Sequence, residues 1–172
     1  MTTEERLEKL ERELVELRKC VRTQELIIED DKGQRRAELG LTENGPELSL
    51  YDENLRPHAA LGVAKDGPEL SLYDENGKPR AALTVNKAGP GLNLLDENRK
   101  YRVLLGLTQN GPRLLLHDEN GKPRAMLLAT KHRSDLFMAD VNGKPRADLG
   151  VGEVGPALLL YDEKDKPIWS AP

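Results

Sequence analysis

Asp30, Asp52, Asp74, Asp96, Asp118, Asp140 and Asp162 stand 22 residues apart, and from Asp30 six full copies and one truncated copy of a single pattern follow without insertion. Numbered from its Asp, each copy approximates D-E-N-G-K-P-R-A-x-L-G-V-x-x-x-G-P-x-L-x-L-Y. Periodicity this strict means one supersecondary unit stacked many times, and it overrides a mixed globular reading.

Each copy holds two alternating segments, such as Arg80-Ala81-Ala82-Leu83-Thr84-Val85 and Glu69-Leu70-Ser71-Leu72-Tyr73. Apolar residues at every second position predict strands with one buried face. Asn76-Gly77, Asn120-Gly121 and Asn142-Gly143 punctuate one connection, and Gly67-Pro68, Gly89-Pro90 and Gly155-Pro156 the other. A four-residue loop at the Asp connection sets Leu72 opposite Ala81, Leu70 opposite Leu83 and Tyr73 opposite Arg80, so both strands turn their apolar residues to one side. Pro57 and Pro68, like Pro79 and Pro90, are 11 apart, so the unit is close to an 11-residue strand-plus-turn module used twice. About 13 strands are expected on that spacing.

Between Thr3 and about Gln24 there is no Gly or Pro, and Leu7, Leu10, Leu14, Leu17 and Val21 trace a heptad seam that Gln24 and Ile28 continue. Thr3 with Arg6 forms a partial capping box, and Glu4 and Glu5 suit the first turn. So narrow an apolar stripe is unstable alone and requires partner helices. The chain therefore divides into a coiled-coil helix over 1–24 and a β-repeat rod over 25–172.

An apolar sheet face needs a second layer, and no amphipathic helix follows residue 24. A closed barrel of about 13 strands would leave a lumen too wide for Ala and Leu to fill. The expected architecture is an all-β repeat rod: an antiparallel meander, three copies of which form a triangular β-prism beneath a parallel trimeric coiled coil. The alternative is a single-chain β-solenoid of parallel coils capped by the helix.

Composition limits function. With 37% hydrophobic and 3% aromatic residues, core material is thin for one compact globule. A net charge of −4 argues against nucleic acid, which requires clustered Lys and Arg. Cys20 has no intrachain cysteine partner, no run of about 18 apolar residues suggests a membrane span, and the amino end has no signal-like stretch. A cytoplasmic or particle-associated location is the default expectation, with signal-free export as an alternative.

Candidate chemistry is sparse. The Asp column invites a calcium reading, but glycines are few and Lys78, Lys122 and Lys144 stand inside the loops; turn capping by Asp is the favoured alternative. The column Arg36, Arg80, Arg102, Arg124 and Arg146, with His58 as its odd member, reads as support over Tyr51, Tyr73 and Tyr161 rather than as an anion ladder. His58, His117 and His132 lack ligand spacing, and no nucleophilic triad or carboxylate pair emerges. No enzyme, metal or cofactor is expected. In the copy from Asp118, Arg133-Ser134 replaces Gly-Pro, making Phe137 and Met138 a candidate contact patch; a break in register or an outward bulge is the plain alternative. Trp169, where other copies have Ala or Val, is a candidate terminal cap.

Three resemblances extend this reading. Arg6-Leu7-Glu8-Lys9-Leu10-Glu11 resembles the short trimerisation motif of parallel three-stranded coiled coils, which implies that Arg6 and Glu11 bridge neighbouring helices. A dimer or an intramolecular role is the alternative. The helix-plus-repeat plan resembles the coiled-coil and β-prism stalks of phage tail fibres and trimeric adhesins. Copies of the form Gly-Pro-x-Leu-x-Leu-Tyr-Asp, ending in Trp169-Ser170-Ala171-Pro172, are similar to bacterial 22-residue β-repeat proteins, a likeness that implies no activity. The expected function is thus a non-enzymatic homotrimeric stalk, spacer or fibre subunit whose partner is itself. A trimeric module binding a ligand or glycan through its outward β-face is the alternative.

Overall fold

The computed structural model describes residues 2–19 and 24–171, without the side chains of residues 15–19. One helix, α1 (Thr3–Lys19), precedes fourteen strands: β1 (Leu26–Glu29), β2 (Arg35–Thr42), β3 (Gly45–Tyr51), β4 (Pro57–Ala64), β5 (Gly67–Tyr73), β6 (Pro79–Asn86) and β7 (Gly89–Leu95), followed by β8 (Tyr101–Thr108), β9 (Gly111–His117), β10 (Pro123–Ala129), β11 (Ser134–Ala139), β12 (Pro145–Gly152), β13 (Gly155–Tyr161) and β14 (Pro167–Ala171). All fourteen form one antiparallel meander in chain order. At about 4.8 Å per step the ribbon is roughly 60 Å long.

This is the all-β repeat expected from the period, and it corrects the solenoid alternative, because every neighbouring pair is antiparallel. The strand count exceeds expectation by one. Ile28, placed by the heptad on the helical seam, instead lies in β1 opposite Ala37. A β-branched pair, Ile27-Ile28, beside an open sheet edge gains more from extending the sheet than from extending the helix.

The helix cap lies one residue earlier than the sequence reading placed it. Glu5 N donates to Thr2 Oγ1 at 3.2 Å while Thr2 N donates to Glu5 Oε2 at 2.6 Å, so the capping box is Thr2 and Glu5, not Thr3 and Arg6. Leu7, Leu10 and Leu14 are exposed along one stripe. Within the chain, α1 packs on no strand among the described residues.

The register supports the pairing of Leu70 with Leu83 and Leu72 with Ala81, but Tyr73 pairs with Pro79, not Arg80. The physical reason is a β-bulge at every Asp connection. The loop itself is three residues, closed by Asp74 N to Lys78 O and by Gly77 N to Asp74 O, both at 2.9 Å. Gly77 is left-handed there, with φ 71°. One extra residue then follows Pro79: Arg80 here, and Arg36, His58, Arg102, Arg124, Arg146 and Ile168 in the other copies. A bulged residue is unpaired and its side chain is re-aimed.

Because side chains alternate, the sheet has two different faces. On the first, a leucine occupies the same level of every strand from β1 to β13, running from Leu26 through Leu39, Leu48 and Leu61 to Leu158. A flanking row alternates Ala37, Leu50, Ala59, Leu72 and their equivalents, ending in Trp169. Most of this ladder is open to solvent, Leu61 at 54% and Leu105 at 48%. On the second face, the middle row steps by 11 residues: Ser49, Ala60, Ser71, Ala82 and Asn93, then Leu104, Leu115, Met126 and Phe137. Ser49 and Ser71 are buried, at 6% and 5%. Among the described residues no large side chain is fully buried, so the single chain has no closed core.

Candidate functional site

The chemistry of the ribbon is organised along its Asp edge. In each loop one carboxylate oxygen accepts two backbone N–H groups: Asp74 Oδ1 from Asn76 at 2.9 Å and from Lys78 at 3.1 Å. Asp30, Asp52, Asp96, Asp118, Asp140 and Asp162 repeat the arrangement. These are the Asx turns proposed for the column, with a second donor added. The other oxygen faces the bulged cation, as in Arg36 to Asp30 at 2.7 Å and Arg80 to Asp74 at 3.4 Å. His58 takes that place beside Asp52, with Nε2 at 3.6 Å.

These bonds hold the carboxyls of Asp30, Asp52, Asp74, Asp96 and Asp118 below the usual aspartate range, the backbone N–H four residues on being the main cause. For Asp140 burial pushes upward, but the N–H groups of Lys144 and Asn142 and the Arg146 guanidinium outweigh it. The Arg guanidinium groups therefore bind the carboxylates of their own loops.

The edge also links one copy to the next. Lys78 Nζ donates to Glu97 O at 3.2 Å and Lys100 Nζ to Glu119 O at 2.8 Å. Arg80 Nε donates to Leu95 O at 3.1 Å, Arg102 Nε to His117 O at 3.0 Å and Arg124 Nε to Ala139 O at 2.9 Å. Lys at position five and Arg at position seven thus act as structural fasteners. The bulge that aims them left no signal in the alternation pattern.

The opposite edge works by contact. A Cβ on Gly67, Gly89 or Gly111 would come within 2.1, 2.0 and 2.0 Å of the carbonyl oxygens of Val85, Leu107 and Ala129 in the following copy. These turns can stack only because the glycine has no side chain.

The departing copy keeps its register: Ala129 pairs with Ser134 just as Val85 pairs with Pro90, so neither a slip nor a bulge answers the loss of Gly-Pro. Arg133 instead lies over Gly150, donating to Asp148 Oδ2 at 3.1 Å and to Asp135. This triad escaped the sequence reading, although the 11-residue step would have placed Asp148 beside Phe137. Phe137 pairs with Met126 and Asp148 on the second face, whereas Met138 pairs with Ala125 and Ala147 on the leucine face. Adjacent residues of a strand point oppositely, so the two do not form one patch.

Elsewhere on the second face a cleft of about 310 Å³ is lined in part by Glu47, Glu69, Ser71 and Tyr73. Its carboxylates are engaged locally, Ser49 Oγ donating to Glu47 at 2.8 Å and Ser71 to Glu69. Burial pushes the Tyr73 phenol up, against the pull of Ser71. His132 Nδ1 lies 2.6 Å from Glu153 Oε1, and His117 ends β9, so the histidines stay apart. Among the described residues no group of three or more His, Cys, Asp or Glu is placed to hold a metal, and no helix is long and apolar enough to cross a membrane.

Of the expected oligomerisation residues, Arg6, Leu7, Leu10, Glu11 and Leu14 lie on α1. Leu17 belongs to the helix but its side chain, like Val21 and Cys20, falls outside the described residues. Arg6 and Glu11 enter none of the helix's own ion pairs among the described residues, which are Lys9–Glu13 and Glu8–Arg12. Trp169 stands on β14 opposite Leu160, at the end of the leucine face.

No protein-family model matches the chain. No curated protein matches it either. Among solved structures, that of a mutant of S. aureus TarM in complex with Fondaparinux, alpha-GlcNAc-glycerol and UDP aligns at 12% identity and a TM-score of 0.40. The alignment covers 76% of this chain and 24% of that one, and at this score it supports no functional argument.

Proposed function

We propose that this chain is a non-enzymatic structural protein, the subunit of a homotrimeric stalk, spacer or fibre. The observation that carries the reading is the exposed leucine ladder, which runs the length of the sheet with no described residue over it. Soluble monomers seldom leave apolar patches beyond about 300–600 Å² open, and a ladder of this length with its flanking rows is larger. Three sister sheets meeting along their leucine faces would bury it as a dry prism axis, with Trp169 closing the end. The exposed Leu7, Leu10 and Leu14 stripe, with Arg6 and Glu11 outside the helix's own ion pairs among the described residues, supports three parallel helices above that prism. Such a rod acts mechanically, in the cytoplasm or on a particle, by holding something at a fixed distance.

Native mass spectrometry provides the test. Three chain masses are expected for the wild type, and a loss of assembly is expected for Leu61→Lys/Leu105→Lys. A folded monomer whose stability ignores those substitutions overturns the reading.

A second reading rests on the row Leu104, Leu115, Met126 and Phe137, apolar on the face that a prism would turn outward. In that reading the rod also binds a ligand or glycan there. A glycan array on which Phe137→Ala loses a signal given by the wild type supports it; identical arrays refute it.

A further inference from the structure

We infer that α1 is a register clamp: its contacts with the α1 helices of sister copies set how the sheets stand along one another, while the sheets supply most of the association. The inference rests on the homotrimer proposed above. Its basis is the translational sameness of the leucine face. Leu61, Leu83 and Leu105 occupy equivalent levels in β4, β6 and β8, and the same Leu–Leu pair recurs on each side: Leu61 with Leu70, Leu83 with Leu92, Leu105 with Leu114.

Sliding one sheet past another by a single copy, two strands or about 9.6 Å, restores leucine against leucine. Only the overhanging end loses contact. A face that repeats itself specifies attraction well and position poorly, as flat uniform strands do. Even the departing copy keeps the ladder, through Leu127 and Leu136.

The helix differs. Thr3–Lys19 spans little more than two heptads, so slipping by one heptad, about 10.5 Å, removes a large share of its seam. It also breaks each Arg6–Glu11 bridge that the trimerisation motif implies between neighbouring helices. Since α1 packs on no strand of its own chain among the described residues, its exposed stripe is available for this role.

The test uses the full chain in a Cys20→Ser background carrying Leu61→Cys and Leu83→Cys. Within one chain β5 separates these positions by about 9.6 Å, beyond disulfide reach, so every bond formed on mild oxidation joins two chains. With α1 intact, peptide mapping should find 61–61 and 83–83 bonds. Adding Leu7→Lys/Leu10→Lys/Leu14→Lys should leave the mass at three chains and raise 61–83 bonds about fivefold or more. Like-to-like bonds alone in that variant would place register in the sheet and overturn the inference. Monomers in that variant, beside wild-type trimers, would make α1 the source of association and overturn it too. A wild type that is already monomeric and forms no interchain bonds instead removes the trimer reading beneath it.

Discussion

The two long edges of the ribbon join the same repeats by different physics. Along the Asp edge, copies are tied by hydrogen bonds from Lys and Arg to the carbonyls of the next copy, in reach of water. Along the Gly edge, at Gly67, Gly89 and Gly111, the backbone of one copy instead lies directly against that of the next, with no side chain intervening. The first edge tolerates change in its members: His58 and Ile168 replace Arg, and Leu55, Arg99 and Asp165 replace the left-handed Gly. At Gly67, Gly89 and Gly111 the second leaves no room for a side chain, and where the glycine is lost Arg133 is carried over Gly150 to Asp135 and Asp148. Polar fasteners act in parallel and can be lost singly, whereas a steric contact is all or nothing.

That contrast breaks most sharply at Gly89. Gly89→Ala drives a Cβ into Leu107 O and should destabilise the fold by about 3 kcal/mol. Gly155 has nearly the same backbone, φ 116° against 119°, but a Cβ there meets nothing within 4 Å. Gly155→Ala should therefore cost only about 1 kcal/mol, the conformational part alone. Denaturant titration of the two variants separates close approach from φ, and equal losses would dissolve the distinction between the edges.

On the Asp edge, Asp96→Ala removes two backbone acceptor bonds, to Asn98 and Lys100, and the Arg102 contact at 3.5 Å. Its melting temperature should fall less than that of Gly89→Ala, since six sister loops persist. The same edge should govern acid sensitivity. Carboxyls held low when folded contribute stability that is present above the unfolded aspartate range, near pH 4, and lost as pH falls below it. Melting temperatures measured against pH should show wild type and Asp96→Asn converging in acid.

Smaller effects sharpen the comparison. Leu55 holds φ 60°, so Leu55→Gly should stabilise by about 0.5 kcal/mol, strain relief partly offset by unfolded-chain entropy. Lys100→Met, deleting one solvent-exposed fastener, should change stability by less than about 0.5 kcal/mol. A larger loss there would mean that the fasteners act cooperatively.

The legibility of the sequence divides along related lines. The alternation that makes Leu70 and Leu83 partners is a direct imprint of the pleat, and the 22-residue spacing carries it from one end of the sheet to the other. What period and alternation do not encode is the extra residue after Pro79, because a bulge changes register by one position while the apolar pattern resumes at Ala81 unchanged. The Arg column was accordingly visible and its direction was not. Phe137 and Met138 were singled out by departure from consensus, which ignores that neighbours in a strand face opposite ways. Arg133 shows the converse: its lost glycine is plain in the sequence, but the space it fills over Gly150 depends on a strand 15 or more residues later.

The absence of insertions between Asp30 and Asp162 has a consequence for descent as well as for shape. Each unit bonds chiefly to the one before and the one after, through donors and acceptors that every unit supplies, so an in-frame duplication or deletion of 22 codons would reseal with the same junction. Length in such a lineage changes in quanta of about 9.6 Å, and both termini stay as they were. The gene behaves as a ruler whose graduations can be added or removed one at a time.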